Sequence, residues 1–141
     1  MPAIVSTIDI ARPPAEVFAY ATDPARFPEW QKDIVRVAPA GGNRFTTTRR
    51  FARAERTLTQ EITENDAPHR WSARGLDGPI RPIASVAVEP VGAGSRVTFS
   101  LDFEGHGIGV GLLPLVRRQA RRGAPVSYRN LKRLLESSPR A

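Results

Sequence analysis

The stretch of residues 96–104 alternates strictly between apolar and polar side chains. Its apolar members are Val97, Phe99, Leu101 and Phe103, and its polar members are Thr98, Ser100, Asp102 and Glu104. Successive side chains of a β-strand point to opposite faces of the sheet, so a strand places all four apolar groups on one side. The pattern therefore predicts an antiparallel strand with one face packed on a core.

Four upstream segments also have strand character, at residues 44–52, 55–65, 69–75 and 83–91. Turns near residues 53–54, 66–68 and 92–95 would close three hairpins among these strands. The resulting registers pair Phe45 with Ile62, Thr47 with Gln60, Arg49 with Leu58, Ile62 with Trp71, Gln60 with Ala73, Val88 with Phe99 and Val86 with Leu101. A slip of one residue would turn every side chain to the other face, so the agreement of the apolar faces predicts a meander.

The N-terminal segment predicts a strand followed by two short helices. The strand covers residues 5–12 and ends at Pro13 and Pro14, because proline removes donors from a ladder. The helices cover residues 15–21 and 24–27, with Asp23 as the cap of the second. A second strand is expected at residues 33–38.

A long C-terminal helix is predicted at residues 112–136. Its apolar side chains recur at helical spacing: Leu112, Leu115, Val116, Ala120, Leu131, Leu134 and Leu135. Gly123 and Pro125 should kink this helix or split it in two. The four glycines within residues 105–111 predict a loose hinge before the helix, with a gating role as a hypothesis.

Length and composition exclude several classes of protein. The 141 residues suit one domain at 1–136 with a frayed tail at 137–141, and a hydrophobic content of 40% argues against disorder. The absence of cysteine excludes disulfides, iron–sulfur clusters and thiolate zinc sites. The positions of His69 and His106 relative to nearby carboxylate residues do not match the spacing of metal ligands. We therefore expect neither a metal nor a cofactor. Neither a signal peptide nor a membrane-spanning stretch is evident, and the expected location is the cytoplasm.

Two segments resemble a known superfamily. They are "IDIARPPAEVFAYATDPARFPEW" at residues 8–30 and "EPVGAGSRVTFSLDFEG" at residues 89–105. The chain resembles the START/Bet v 1-like superfamily, and within it the bacterial polyketide cyclase/dehydrase-type (SRPBCC) proteins. The resemblance implies an α+β helix-grip fold: a seven-stranded curved antiparallel sheet around a long C-terminal helix, with two short helices after strand 1. It also implies a ligand cavity between sheet and helix, but no shared catalytic motif, so we name no catalytic residue.

The predicted ligand-binding residues lie on the inner face of this sheet and on the helix. They are Phe45, Thr47, Arg49, Phe51, Leu58, Gln60, Trp71, Val86, Phe99, Leu101, Leu112 and Val116. Most would be core residues in any sheet protein, so the polar members are the informative ones. An inward Arg49 must be paired, either by a ligand carboxylate or phosphate or by solvent and an internal carboxylate near the sheet edge. Thr47 and Gln60 could bind a ligand or satisfy each other.

The chain is strongly basic, with a formal net charge of +7. Arg117, Arg118, Arg121 and Arg122 form i,i+4 pairs that stack on one stripe of the predicted helix. Three interpretations are open: a solvated outer face, a contact with an anionic membrane surface, or nucleic-acid binding. Nucleic acid is disfavoured because aromatic residues do not alternate with the arginines.

Binding of a mainly apolar small molecule is the leading functional hypothesis, whether the molecule is lipid, polyketide-like or aromatic, with or without an acidic group. One alternative is a cyclase or dehydratase that uses the same cavity, which would need an inward acid–base pair. His106 lies near the expected cavity mouth, but Asp102 and Glu104 have the outer parity and offer it no partner. A weaker alternative is a peripheral lipid-transfer protein that docks through the basic helix. The oligomeric state is not predicted.

Overall fold

The computed structural model describes residues 3–51 and 53–137, which form one seven-stranded antiparallel sheet and a long C-terminal helix. The elements are β1 (Ile4–Ile10), α1 (Pro14–Ala21), a 3-10 turn (Pro24–Arg26), α2 (Phe27–Trp30), β2 (Ile34–Pro39), β3 (Arg44–Phe51), β4 (Ala54–Asp66), β5 (Arg70–Gly75), β6 (Ile80–Val91), β7 (Gly94–Gly105) and α3 (Gly109–Ser137). The strand order is β1-β7-β6-β5-β4-β3-β2. The predicted helix-grip architecture is therefore confirmed. The tail at 138–141 lies outside the described residues.

The two short helices connect the opposite edges of the sheet. The chain leaves β1 at Ile10, and Pro14 starts α1 because its fixed φ suits the first helical turn. The Asp23 carboxylate then accepts a hydrogen bond from Ala25 N at 3.1 Å, which caps the 3-10 turn as predicted. The segment carries the chain from edge strand β1 to edge strand β2.

The three predicted hairpin registers are each wrong by two residues. Phe45 lies opposite Gln60, Ile62 opposite Ala73, and Val88 opposite Val97. The pairing of Val91 with Gly94 shows that the last turn is tighter than the loop expected at residues 92–95. Since turn length sets register, a misplaced turn shifts a whole hairpin. A shift of two preserves the side-chain face, so the predicted inner face is right.

The interface between the sheet and α3 is filled along much of its length. At one end, Leu131 and Leu135 of α3 pack against buried side chains that include Ile10 and Val97. In the middle, six aromatic rings touch one another with centroid distances of 3.9 to 6.5 Å: Phe27, Trp30, Phe45, Trp71, Phe99 and Tyr128. Trp30 therefore packs the short helices onto the sheet. A ligand cannot lie in this middle region without displacing the rings.

The helix α3 differs from its prediction at its start and at its middle. It begins at Gly109, ahead of the predicted residue 112, and continues without a break to Ser137. Of the two alternatives predicted at Pro125, the split is therefore wrong, and the kink stays a prediction. Pro125 lies on the exposed side of the helix, where water can bond the carbonyl that loses its helical donor.

The expected loose hinge before α3 is a close-packed junction. A Cβ added to Gly109 would lie 1.8 Å from the carbonyl oxygen of Pro79, and one added to Gly105 would lie 2.8 Å from Cα of Val110. The His106 amide also donates to the Pro79 carbonyl at 2.8 Å. These glycines permit close backbone contact, so the hinge prediction is wrong at both positions.

Arg117 is buried and does not belong to the predicted basic stripe. Its Nη1 lies 2.9 Å from Asp102 Oδ1, and its Nη2 donates to the Phe103 carbonyl at 3.4 Å. The described pairing of β1 with β7 begins with Ile4 opposite Leu101, and Asp102 and Phe103 follow that pair in β7. Arg117 thus joins this end of β7 to α3.

Candidate functional site

Arg49 is the charged side chain at the centre of the candidate site. Strand β3 holds it between Ile34 of β2 and Arg56 of β4, with the same parity as the buried Phe45 and Thr47. Its Nη2 donates to Gln31 Oε1 at 3.0 Å. Within residues 3–51 and 53–137, no carboxylate lies within the 4 Å of an ion pair with this guanidinium. The charge is therefore only partly compensated by the protein.

Two further groups interact with Arg49 electrostatically. Burial lowers the pKa of Arg49, while the Asp33 carboxylate acts to raise it, as does Tyr128 when it is ionised. An arginine remains protonated in proteins in spite of such a shift. Burial also raises the pKa of Tyr128 to about 12, against the opposing effect of Arg49, so the phenol is uncharged at neutral pH. The Arg49 cluster, which consists of Arg49, Gln31, Asp33 and Tyr128, thus holds a cation, an amide, a carboxylate and a phenol that can donate a hydrogen bond.

A buried donor without a partner lies beside this cluster. The indole Nε1 of Trp30 is buried and has no hydrogen-bond partner among the residues that the structure describes. The Trp30 and Tyr128 rings are neighbours with centroids 6.5 Å apart, and Gln31 follows Trp30 directly in the chain. An unpaired buried N–H is costly, and a water or a ligand acceptor would relieve that cost.

The predicted polar pair Thr47 and Gln60 satisfies itself. The Thr47 hydroxyl donates to Gln60 Oε1 at 2.7 Å, and both side chains are buried. Their diagonal relation across β3 and β4 brings the groups together although Thr47 lies directly opposite Leu58. This is one of the two alternatives expected from the sequence, and a ligand contact for the pair stays a prediction.

The apolar members of the predicted site fall into three groups. Phe45, Trp71, Val86 and Phe99 are fully buried in the core, whereas Leu58, Leu101 and Val116 are half-buried. Leu112 is 39% exposed and lies at the start of α3, away from the core that its helical spacing predicted. The side chain of Phe51 lies outside the described part of the molecule. The half-buried residues are thus the ones with surface left for a ligand.

A solvent-open groove of about 500 Å³ runs along α3 next to the cluster. It is lined by Lys32, Asp33, Leu115, Arg118, Gln119, Arg122 and Gly123. Asp33 belongs both to this groove and to the surroundings of Arg49, so the groove offers an approach to Arg49 from the surface. Another groove, of about 450 Å³, lies at the β2–β3 turn and the C-terminal end of β4, with none of the Arg49 cluster in its lining.

Among the side chains of residues 3–51 and 53–137, no three metal-ligating residues lie close enough together to hold a metal ion, and His69 and His106 are both exposed. Over the same ranges, every helix is too short or too polar to cross a lipid bilayer.

Three members of the cluster were not predicted from the sequence: Gln31, Asp33 and Tyr128. Gln31 and Asp33 lie in the short link between α2 and β2, and Tyr128 lies on α3. The available signal was a polar segment directly after Trp30, at the point where the chain enters an edge strand. Spacing alone could not place these residues beside Arg49, because the contacts join three separate elements.

Comparison with known proteins places the chain in a defined family and fold. A family described as polyketide cyclase / dehydrase and lipid transport matches residues 1–136. A search of curated proteins finds no match. The likeness to solved structures extends over nearly the whole chain.

Three of these structures show how sequence identity and coverage vary among the similar proteins. TTHA0849 from Thermus thermophilus is 21% identical, with a TM-score of 0.78 over 97% of this chain and 100% of that chain. A START superfamily protein from Mycobacterium smegmatis is 13% identical, with a TM-score of 0.79 over 96% of this chain and 98% of that chain. The di-domain ARO/CYC BexL of the BE-7585A biosynthetic pathway is 22% identical, with a TM-score of 0.75 over 96% of this chain and 47% of BexL. At these identities the likeness establishes a shared fold.

Proposed function

Since the chain belongs to the polyketide cyclase / dehydrase and lipid transport family of the START/Bet v 1-like superfamily, we propose that it binds a small, mainly apolar molecule that carries an acidic group. The acid would meet Arg49 between the sheet and α3. The observation that carries this proposal is the inward guanidinium of Arg49, whose hydrogen-bond partner among the described residues is the neutral Gln31 amide.

The chemistry of Arg49 favours a carboxylate or a phosphate. A guanidinium presents paired donors that match the two oxygens of such a group, and the bond strengthens where water is excluded. The uncharged Tyr128 phenol and the unpaired Trp30 indole supply further donors nearby. A cluster that is rich in donors suits an anion better than a neutral or cationic head group.

The apolar body of the ligand would lie toward the half-buried residues of the interface. Leu58 neighbours Arg49 diagonally across the β3–β4 hairpin, and Val116 lies on α3. The aromatic rings fill the middle of the core, so the ligand would extend from Arg49 toward the groove at Asp33 and Gly123. This arrangement favours a compact ligand over one that runs the length of the helix.

The cyclase or dehydratase alternative needs a base as well as an acid. Tyr128, with a pKa of about 12, can donate a hydrogen bond but does not act as a base at neutral pH. Asp33 is the carboxylate nearest to that role, and it already offsets the charge of Arg49. Binding is therefore the proposal that the cluster supports best.

A matched pair of probes tests the proposal. Decanoate and decanol share a chain and differ in the acid, and their binding can be followed by titration calorimetry. A buried charge-assisted hydrogen bond should make decanoate bind about 10- to 100-fold more tightly than decanol. The Arg49→Met variant should lose this preference, whereas Arg129→Gln, on the exposed side of α3, should keep it.

Equal affinity of the wild type for the acid and the alcohol would overturn the anchoring role of Arg49. So would an Arg49→Met variant that still prefers the acid. Native mass spectrometry of the freshly purified protein adds an independent measurement. A stoichiometric extra mass that disappears on denaturation would identify the class of a natural ligand, and an acid-free ligand would contradict the proposal.

A further inference from the structure

Large apolar side chains are exposed together at the start of α3. Ile108 is 80% exposed, Val110 60%, Leu115 53% and Leu112 39%, and all four fall within residues 108–115. We call these four residues the apolar tip. The other large exposed apolar residues, Val5, Val35, Ile83 and Val91, are spread over β1, β2 and β6. Single exposed apolar residues are ordinary on protein surfaces, but a cluster marks an interaction site.

Unpaired arginines follow the apolar tip on the next two turns of α3. Arg118, Arg121 and Arg122 are exposed, and no carboxylate of residues 3–51 or 53–137 lies within 4 Å of them. We call these three residues the basic collar. On the sheet, Arg36, Arg44, Arg50 and Arg96 have a carboxylate partner, whereas the exposed Arg56 and Arg70 have none within 4 Å in the described part of the chain. What distinguishes the collar is that three such arginines lie close together on one helix, next to the apolar tip.

The tip and the collar are not needed to attach α3 to the sheet. The buried residues of the helix are Gly109, Arg117, Ala124, Ser127, Leu131 and Leu135, and no tip or collar residue is among them. Leu115, Arg118 and Arg122 recur at i, i+3 and i+7, so they share a face of the helix, and this face lines the outer groove. Half of α3 thus presents an amphipathic surface to the outside.

We propose that this surface docks the protein onto an anionic lipid bilayer. The apolar tip enters the boundary between head groups and acyl chains, and the basic collar binds the phosphates around it. A helix end with large apolar side chains beside arginines is typical of segments that lie in a membrane interface. This inference goes beyond ligand binding. Leu115, Arg118 and Arg122 line the groove that leads to Arg49, so the docking surface and the proposed ligand entrance are adjacent.

Charge distinguishes the bilayer from a second copy of the chain. The chain has a formal net charge of +7, and a symmetric dimer through this surface would set the collars of two copies against each other. An anionic bilayer instead complements the collar. Arg117, which the sequence analysis grouped with these arginines, takes no part because it is paired with Asp102.

Vesicle flotation tests the docking. We expect the wild type to float with vesicles that contain about 25 mol% phosphatidylglycerol in phosphatidylcholine, and not with phosphatidylcholine alone. The Arg118→Gln/Arg122→Gln variant should bind about 25-fold more weakly, roughly fivefold for each arginine near the surface. The Ile108→Ser/Leu115→Ser variant should bind about tenfold or more weakly, because two apolar side chains no longer enter the bilayer.

Matched controls separate docking from other effects. Arg129→Gln removes an exposed arginine from the other half of α3, and Val5→Ser removes an exposed apolar residue from β1. Both variants should bind vesicles like the wild type. Arg49→Met should also float normally, so failure of the ligand proposal and failure of docking are distinguishable. The tip and collar residues are exposed, and circular dichroism should show unchanged folding.

Three results would overturn the proposal. One is no flotation of the wild type at low salt, and another is equal flotation with and without the anionic lipid. The third is wild-type binding by both the tip and the collar variants. If light scattering instead shows a dimer that Leu115→Ser converts to a monomer, without vesicle binding, then a second copy covers the tip.

Discussion

Replacement of Arg117 by methionine tests whether the end of the sheet depends on a contact from α3. The substitution removes the 2.9 Å ion pair with Asp102 and the 3.4 Å hydrogen bond to the Phe103 carbonyl. It keeps an apolar stem of similar length, so packing is largely retained. What remains is a Phe103 carbonyl without its donor from α3 and an Asp102 carboxylate without its cation.

The size of the effect follows from the burial of the two partners. Breaking a fully buried ion pair costs about 3 to 5 kcal/mol. The Asp102 side chain keeps 34% of its surface exposed, so water recovers part of that loss. The bond to Phe103 is long and contributes little. We therefore expect Arg117→Met to lower the free energy of unfolding by about 2 kcal/mol.

Urea unfolding followed by tryptophan fluorescence measures this change. Trp30 and Trp71 are both buried, so their emission should shift to the red on unfolding. With an m-value of about 1 to 3 kcal/mol/M for a domain of this size, the midpoint should fall by about 1 M. The control is Arg121→Met on the exposed face of α3, which should change stability by less than about 0.5 kcal/mol.

A double-mutant cycle with Asp102→Asn isolates the contact itself. The two single variants and the double variant should give a coupling energy of about 1 kcal/mol or more. A coupling energy near zero would refute the reasoning. So would an Arg117→Met variant that is no less stable than Arg121→Met. Either result would mean that the stability of this end of β7 does not depend on its contact with α3.

Other consequences of the structure can be measured in the same way. Gly109→Ala should destabilise the protein by at least about 2 kcal/mol, since its Cβ would lie 1.8 Å from a backbone carbonyl oxygen; a thermal unfolding midpoint like that of the wild type would contradict this close contact. Thr47→Val should cost about 1 to 3 kcal/mol because it leaves the Gln60 amide buried and unpaired, while Thr47→Val/Gln60→Leu should cost less than the sum of its parts in urea unfolding. Hydrogen bonds from Lys132 and from the Ala11 amide lower the pKa of Glu136. The ionised Glu136 side chain therefore stabilises the folded protein above roughly pH 4.3, the pKa of a free glutamate, and this contribution to the free energy of unfolding is lost as pH falls further. The stability difference between wild type and Glu136→Gln should therefore shrink below that pH, and a difference that grows would contradict the assignment.

Much of the fold follows from local sequence patterns. The alternation in residues 96–104 and in the strands before it placed the inner face correctly, because the side-chain period of a strand is two and needs no knowledge of its partners. The proline pair after β1 and the Asp23 cap likewise acted within a few residues. These features depend on neighbours in the chain, so the sequence alone determined them.

Pairing and packing were decided by contacts between distant residues. Each hairpin register came out two residues from its prediction, because register depends on where a turn closes as well as on the apolar pattern. Helical spacing could not show that Arg117 faces inward and Leu115 outward, since that depends on which part of α3 meets the edge of β7. Local periodicity cannot specify such choices.

The candidate site shows the same division. The inward parity of Arg49 was readable from β3, whereas Gln31 and Tyr128 reach it only when α2, β3 and α3 pack together. The alternation of side chains along the strands also could not distinguish an open cavity from a core filled by aromatic rings. Inward side chains with the same pattern meet or leave a gap according to the distance between the sheet and α3. The sequence by itself determined which side chains point inward. Only the tertiary structure decided which of them meet, because the distance between sheet and helix is set by all of their contacts at once.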